Sequence, residues 1–351
     1  MSRIVRIDIR EVKRPLSVAF STALGSKDFI KSVIVSVSLD NGFRGTGECP
    51  TSFSLKQETI PNIKKILGRS SNLLLNTTID EYGFIIKELR GLYPFNPMTV
   101  SGLETALFRA CLACAGETEF SHWGGAVKCI DTDITIPVIR DVRVLDRWTE
   151  RFVAKGFSMF KLKTSGNVEA DRIFLSHIYE KLKDEKGDFS VRLDGNQGYT
   201  EETFFQLLDF ILKRGYNVEL FEQPLHKTDY AGHREIKKHS PVPIILDETV
   251  FTVEDLMRCV EEDCCHGVNI KIAKSGIEES MRIFSTAKAQ GMKLMIGCMT
   301  ETMVGLSAGI YFALGTGGFD YIDLDSVHFL HHRKQYKDIS IDGPRYVLAD
   351  S

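Results

Sequence analysis

The 351-residue sequence has little net charge. Its 44 basic and 47 acidic residues leave −3, which removes the electrostatic ground for a nucleic acid or anionic membrane partner. It has no run of about 18 consecutive apolar residues, which argues against a membrane-spanning helix. The opening MSRIVRIDIREV alternates polar and apolar residues and lacks the apolar block of a secretory leader. The eight cysteines contain no paired C-x-x-C framework. Without a leader, reduced thiols in the cytoplasm are expected. Linkers, low-complexity segments and exact repeats are also missing.

What is present falls into two regimes. Up to about residue 125, IVRIDIREV, SVIVSVSLDNG and FRGTGEC read as antiparallel strands, the last two joined by a turn at Asp40-Asn41-Gly42. Helical patterns follow. In SGLETALFRACLACAG, Ser101 and Glu104 suggest a capping box, and an apolar stripe runs through Leu103, Ala106, Leu107, Ala110, Cys111 and Cys114. Strands followed by segregated helices predict an α+β domain over 1–125.

From about 130 to 329, short apolar strands alternate with amphipathic helices: ITIPVI, SMFKLKT, FSVRLDGN, VELFEQP, VPIILDET, GVNIKIA, KLMIGCM and YIDLDS. Eight such units predict an α/β fold, a modified (β/α)8 barrel with a short or missing last helix. The α+β domain would cap it, joined by a tail at 330–351.

In such a barrel, reactive groups gather at the C-terminal strand ends. Those ends carry Lys161 and Lys163, then Asp194, Glu222, Asp247, Lys271, Cys298, and Asp323 with Asp325. Successive members are one strand–helix unit apart, from 24 residues (247→271) to 31 (163→194). Inward ionisable groups are costly unless paired or bound to a metal, so a whole ring of them marks a site.

Asp194, Glu222 and Asp247 form an oxygen-only trio that would repel itself without a cation. Hard oxygen donors without His or Cys suit Mg2+, and the same set admits Mn2+. Lysines beside such a cation and each other are expected to have lowered pKa values and to act as bases. Strands two and six face each other, so Lys163 and Lys271 would flank a bound carboxylate and reach the proton on its α-carbon. A Schiff-base aldolase and a non-catalytic binding protein remain alternatives.

With KLK, LDGNQG, ELFEQP, LDET and NIKIAKSG in this order, the sequence resembles the enolase superfamily, in its muconate lactonizing enzyme subgroup, along essentially its whole length. DGN and DET stand where many relatives have DAN and DES. The resemblance implies that Asp194, Glu222 and Asp247 bind Mg2+, that Lys163 and Lys271 are opposed acid/base catalysts, and that Lys161 stabilises the enolate. DLD, Asp323 and Asp325, resembles the pair with which dipeptide epimerases hold the substrate amine. Cys298 in IGCMTET and Thr135 in TDITIPV would line the same pocket. Muconate cycloisomerases and o-succinylbenzoate synthases have no use for that pair; N-acylamino acid racemase, cycloisomerase and o-succinylbenzoate synthase are the subgroup alternatives. The implied substrate is a dipeptide, and the subgroup allows a homo-oligomer.

Specificity is expected from a loop, AFSTALGSKDF, between the first two strands. Ala-Glu epimerases often carry an arginine there, and this chain has Leu24, with Phe20 and Phe29 near and Lys27 as the close cation. An apolar or aromatic second residue is therefore expected, with a glutamyl dipeptide as the alternative. His328, His331 and His332 match no zinc spacing and read as a solvated loop. Cys264-Cys265 reads as an inert helix end.

Overall fold

Gly47 and Gly102 bring a strand and a helix into backbone contact. A Cβ on Gly47 would lie 1.9 Å from the Gly102 carbonyl oxygen, and one on Gly102 would lie 2.5 Å from the Glu48 oxygen. Any side chain at either position forces the two elements apart. The strand is Arg44–Pro50, third in an antiparallel sheet with Ile4–Thr22 and Gly25–Leu39. The helix is Pro97–Ala115. A computed structural model describes residues 2–139, 141–185, 187–330 and 335–349. His331 and His332 lie outside the described residues.

Two differences from the sequence reading concern this first domain. The helix starts at Pro97 rather than at Ser101, because proline fits the first helical turn. Ser101 and Glu104 therefore lie inside it and make contacts outside it instead of forming a capping box. Its 19 residues are long and apolar enough to cross a bilayer by composition. Most are buried between the sheet and the barrel, and the helix carries Glu104 and Arg109. Cys111 and Cys114, on the apolar stripe, are half-buried near its end and pack against the capping-domain core. The AFSTALGSKDF segment is not a loop. Both strands continue through it and turn tightly, Thr22 pairing with Gly25, with an irregularity between Pro15 and Phe20.

The barrel has eight parallel strands in sequence order: Ile134–Ile136, Met159–Lys163, Ser190–Asp194, Val218–Glu222, Ile244–Leu246, Gly267–Ile270, Lys293–Gly297 and Tyr321–Asp323. The first and last meet through the Asp133 N–H, which donates to Ile322 O at 3.2 Å. Leu220, Ile245 and Met295 fill the interior. After the last strand stands a 3-10 turn, Ser326–Phe329. His328 is buried in it, edge-on to Phe157 at 5.1 Å, so it is no part of a solvated loop. The tail differs as well. Its strands Ile339–Asp342 and Arg345–Leu348 extend a sheet that ends on Cys129–Asp131, not on the capping sheet. Tyr346 packs in the barrel core and donates to Leu324 O at 2.5 Å.

Four capping-domain residues fix the domains together. Glu48 accepts from Thr302 N (3.1 Å), Thr302 Oγ1 (2.6 Å) and Gly305 N (3.0 Å), capping the barrel helix Met303–Thr316 from outside. Arg109 donates to Val304 O (2.8 Å) and Ser307 Oγ (2.9 Å). Ser101 Oγ donates to Ile272 O (2.5 Å), and Glu104 accepts from Glu278 N (3.1 Å). The capping hairpin is thus held over the C-terminal mouth.

Candidate active site

Strand register sets the site. Lys163 pairs with Asp194 and Asp194 with Glu222, while Glu222 faces Ile245, two residues before Asp247. Residues two apart share a face, so all of these point into the mouth. Lys161 sits one inward step deeper, and its Nζ lies 2.6 Å from Glu222 Oε2, 2.7 Å from Asp323 Oδ2 and 3.1 Å from Asp194 Oδ2. Lys163 Nζ is 2.5 Å from Asp194 Oδ2, with the Phe20 ring centroid 5.7 Å away. Lys271 directly follows the sixth strand, and its Nζ is 2.7 Å from Asp247 Oδ2.

The carboxylates by themselves act against the lowering expected beside a cation. Burial works in the lowering direction for Lys161 and Lys271. For Lys161 it is outweighed by Asp323 and Glu222, and for Lys271 by Asp247 and Glu222, so both are raised. Burial likewise opposes ionisation of Asp194, but Lys163 and Lys161 bring its carboxyl down to about 2. Asp247 falls below the ordinary range because Lys271 and Lys274 overcome its burial.

Several groups were not singled out from the sequence. Lys274 is buried, with its Nζ 2.5 Å from Asp247 Oδ1 and 2.6 Å from Asp247 O. Asn269 Nδ2 donates to Glu222 Oε1 (2.9 Å), and Asn196 Nδ2 donates to Glu248 Oε1 (3.2 Å). Arg192, below Asp194 on the same face, binds Asp133 Oδ2 (2.8 Å) and Glu219 Oε2 (2.8 Å). The i, i+2 parity that located Lys161 could have found Arg192. Glu248 is pushed up to about 8 by burial and by Asp247 and Asp194. Glu301 is pushed up to about 8 by burial and by Glu48.

The donor chemistry tests the fit of a divalent cation. Seven buried carboxyls (Asp133, Asp194, Glu222, Asp247, Glu248, Asp323, Asp325) accompany five buried cations (Lys161, Lys163, Arg192, Lys271, Lys274). Asp194, Glu222 and Asp247, an oxygen-only trio on or just past adjacent strands, fit Mg2+ by donor type.

An open cleft of about 670 Å³ lies between the capping hairpin and this floor. Lys163, Asp247, Lys271 and Cys298 line it from the barrel. Phe20, Leu24 and Lys27 line it from the hairpin, with Phe53, Leu55 and Met98 beside them. Phe29 instead faces Lys13, whose Nζ is 4.3 Å from its ring centroid. Lys161, Asp194, Glu222, Thr135, Asp323 and Asp325 lie deeper, each nearly fully buried. The Thr135 N–H donates to Asp325 Oδ2 (2.6 Å), and Cys298 Sγ is 3.9 Å from Asp325 Oδ1. Asp325 is pushed up to about 6 by burial and by Asp323. Lys27 is brought down to about 8 by burial, opposed by Glu301.

Residues 143–349 match the family described as Enolase C-terminal domain-like. The chain is 30% identical to an L-Ala-D/L-Glu epimerase of Thermotoga maritima over 355 residues, covering 100% of both chains. It is 28% identical to an aromatic dipeptide epimerase of Herpetosiphon aurantiacus, covering 98% of this chain and 96% of that one. A solved dipeptide epimerase of Methylococcus capsulatus, complexed with Mg and the dipeptide L-Arg-D-Lys, is 25% identical. It superimposes with a TM-score of 0.88 over 99% of this chain and 98% of that one.

Proposed function

The chain belongs to the enolase C-terminal domain-like family, and on that premise we propose that it is a dipeptide epimerase. It inverts the α-carbon of the C-terminal residue of an L-Ala-L-Xaa dipeptide, Xaa being apolar or aromatic. The observation that carries this reading is that Lys163 and Lys271, on facing strands, line one cleft whose floor holds Asp323 and Asp325.

Asp194, Glu222 and Asp247 would hold Mg2+, or Mn2+ by the same donors, and the bound ion supplies the positive charge that makes a carbon next to a carboxylate acidic. Lys161, held charged by three carboxylates, adds a fixed ammonium where negative charge develops in the enediolate. One of Lys163 and Lys271, as the free amine, takes the α-proton from its face. The other, as the ammonium, returns a proton to the opposite face, so the carbon inverts and the proton count balances. Asp323 and Asp325 receive the substrate ammonium through charge-assisted hydrogen bonds, which places the α-carbon between the two lysines.

Phe20, Leu24, Phe53, Leu55 and Met98 around the upper cleft favour an apolar second residue. A glutamyl second residue is the other reading, and Lys27 in the same lining favours it. The test is α-deuterium uptake by mass spectrometry for L-Ala-L-Phe, L-Ala-L-Leu and L-Ala-L-Glu in deuterated water. Uptake with inversion is expected, faster for the apolar pair. A much faster glutamyl dipeptide sinks the specificity, and no uptake by any of the three or by a wider dipeptide library sinks the activity.

A further inference from the structure

Outside the cleft, three cysteines meet at the base of the barrel wall. The helix Val253–Glu261 carries Cys259 near its end, and Cys264 and Cys265 follow just before the sixth barrel strand. The three sulfur atoms lie within 4.8 Å of one another, and the residues are 1%, 0% and 4% exposed. Thiols scattered through a core act as small apolar groups. Here they face each other from one span of chain.

The turn that gathers them is held from several sides. Asp263 has φ 48°, a left-handed conformation uncommon outside glycine, and folds Cys264 back so that its N–H donates to Cys259 O at 3.2 Å. Arg234 Nε donates to Glu262 O (2.6 Å), its guanidinium also pairs with the Glu262 carboxylate, and Lys237 pairs with Asp263. Past the cysteines, the His266 N–H donates to Ile244 O (2.9 Å) and its Nδ1 accepts from Ile244 N (3.0 Å). A folded chain therefore presents the sulfurs without rearrangement.

We propose that Cys259, Cys264 and Cys265 form a three-thiolate site for a soft d10 cation such as Cu+ or Cd2+. The donor set fixes the class. Neighbouring His233 is engaged elsewhere, with Nδ1 2.7 Å from Asp229 O and Nε2 3.5 Å from Gln223 Nε2. Among the described residues the side-chain donors gathered here are three sulfurs, with the Cys259 carbonyl oxygen 3.6 Å from Cys264 Sγ, and such a set suits a soft ion in trigonal geometry and rejects Mg2+. The two metal preferences of the barrel are thus separated by ligand chemistry, with oxygen at the mouth and sulfur at the base. Binding ties the end of a wall helix to the start of the strand that leads to Lys271.

The test uses reduced, Mg2+-loaded enzyme titrated with Cd2+ without oxygen. A sulfur-to-cadmium charge-transfer band saturating at one equivalent per chain is expected, unaffected by excess Mg2+. Cys264→Ser and Cys265→Ala each weaken binding at least tenfold, while Cys129→Ser, at an exposed thiol, leaves it unchanged. Urea midpoints with and without Cd2+ should differ for the wild type and coincide for the variants, and circular dichroism confirms that the variants fold. The absence of the band at one equivalent, or a band kept at unchanged affinity by both variants, overturns the site. A variant that fails to fold leaves the wild-type band and urea shift to decide.

Discussion

At the floor of the cleft, Lys161, Lys163, Lys271 and Lys274 each have a carboxylate oxygen within 2.7 Å. The roof is made otherwise. Leu24 at the hairpin tip is 43% exposed, and Phe20, Lys27 and Phe53 offer mainly apolar surface. The floor stands on eight strands whose parity fixes each side chain, so a change there disturbs several ion pairs at once. The roof hangs on the capping domain and makes none of those ion pairs. The chemistry and the choice of substrate therefore sit on separate supports, as expected where binding loops are carried by a rigid scaffold.

The largest break in this comparison should come from Asp323→Asn with Asp325→Asn. Charge-assisted hydrogen bonds are worth about 1.5–3 kcal/mol each, so two should favour a free amine over an N-acetylated dipeptide by on the order of 10²-fold or more. Competition between L-Ala-L-Phe and its N-acetyl form measures the preference. The ratio is expected to collapse in the double variant even though Asp323 also supports Lys161, because both substrates share that loss. A preserved ratio would remove the ammonium grip from the account.

Next comes the seam between floor and roof. Glu301 has a folded-state pKa of about 8, raised above that of an exposed carboxyl. A raised pKa gives stability that is complete below the unfolded value and is lost as pH climbs through about 8. Urea midpoints from pH 5 to 9 should fall for the wild type and stay flatter for Glu301→Gln, by on the order of a few kcal/mol. Parallel curves would contradict the buried, protonated acid.

The smallest effect on apolar substrates should come from the roof. Lys27→Met is expected to change L-Ala-L-Phe turnover less than about threefold, since an apolar side chain gains no Coulombic attraction from its ammonium. For L-Ala-L-Glu it should raise KM more, and only below about pH 8, where the Lys27 ammonium persists. Equal effects on both dipeptides would detach Lys27 from specificity.

The same division decided what could be read from the sequence. Strand periodicity and the spacing of one strand–helix unit made the barrel visible, and placed Lys161, Lys163, Asp194, Glu222, Asp247 and Lys271 at its mouth. Lys274 escaped because a lysine in a helix just past a strand looks solvated, yet it is buried on Asp247. Glu48 escaped because its partner, Thr302, is 254 residues away and no local pattern connects them. The burial of His328 and the pairing of the tail with Cys129–Asp131 rest on equally long-range packing. The pull of the carboxylates on Lys161 and Lys271, which raises both, could not be weighed before their distances were known.

The central claim is that two lysines serve opposite faces of one carbon. Lys163→Ala and Lys271→Ala, each given the L,L and the L,D dipeptide separately in deuterated water, test it most directly. Each variant should lose epimerisation by about 10²–10⁴-fold. One should still exchange the α-proton of the L,L form alone and the other that of the L,D form alone, because the remaining base meets the proton on its own side. Exchange of the same epimer by both variants, or epimerisation at the wild-type rate by either, would contradict the two-base account.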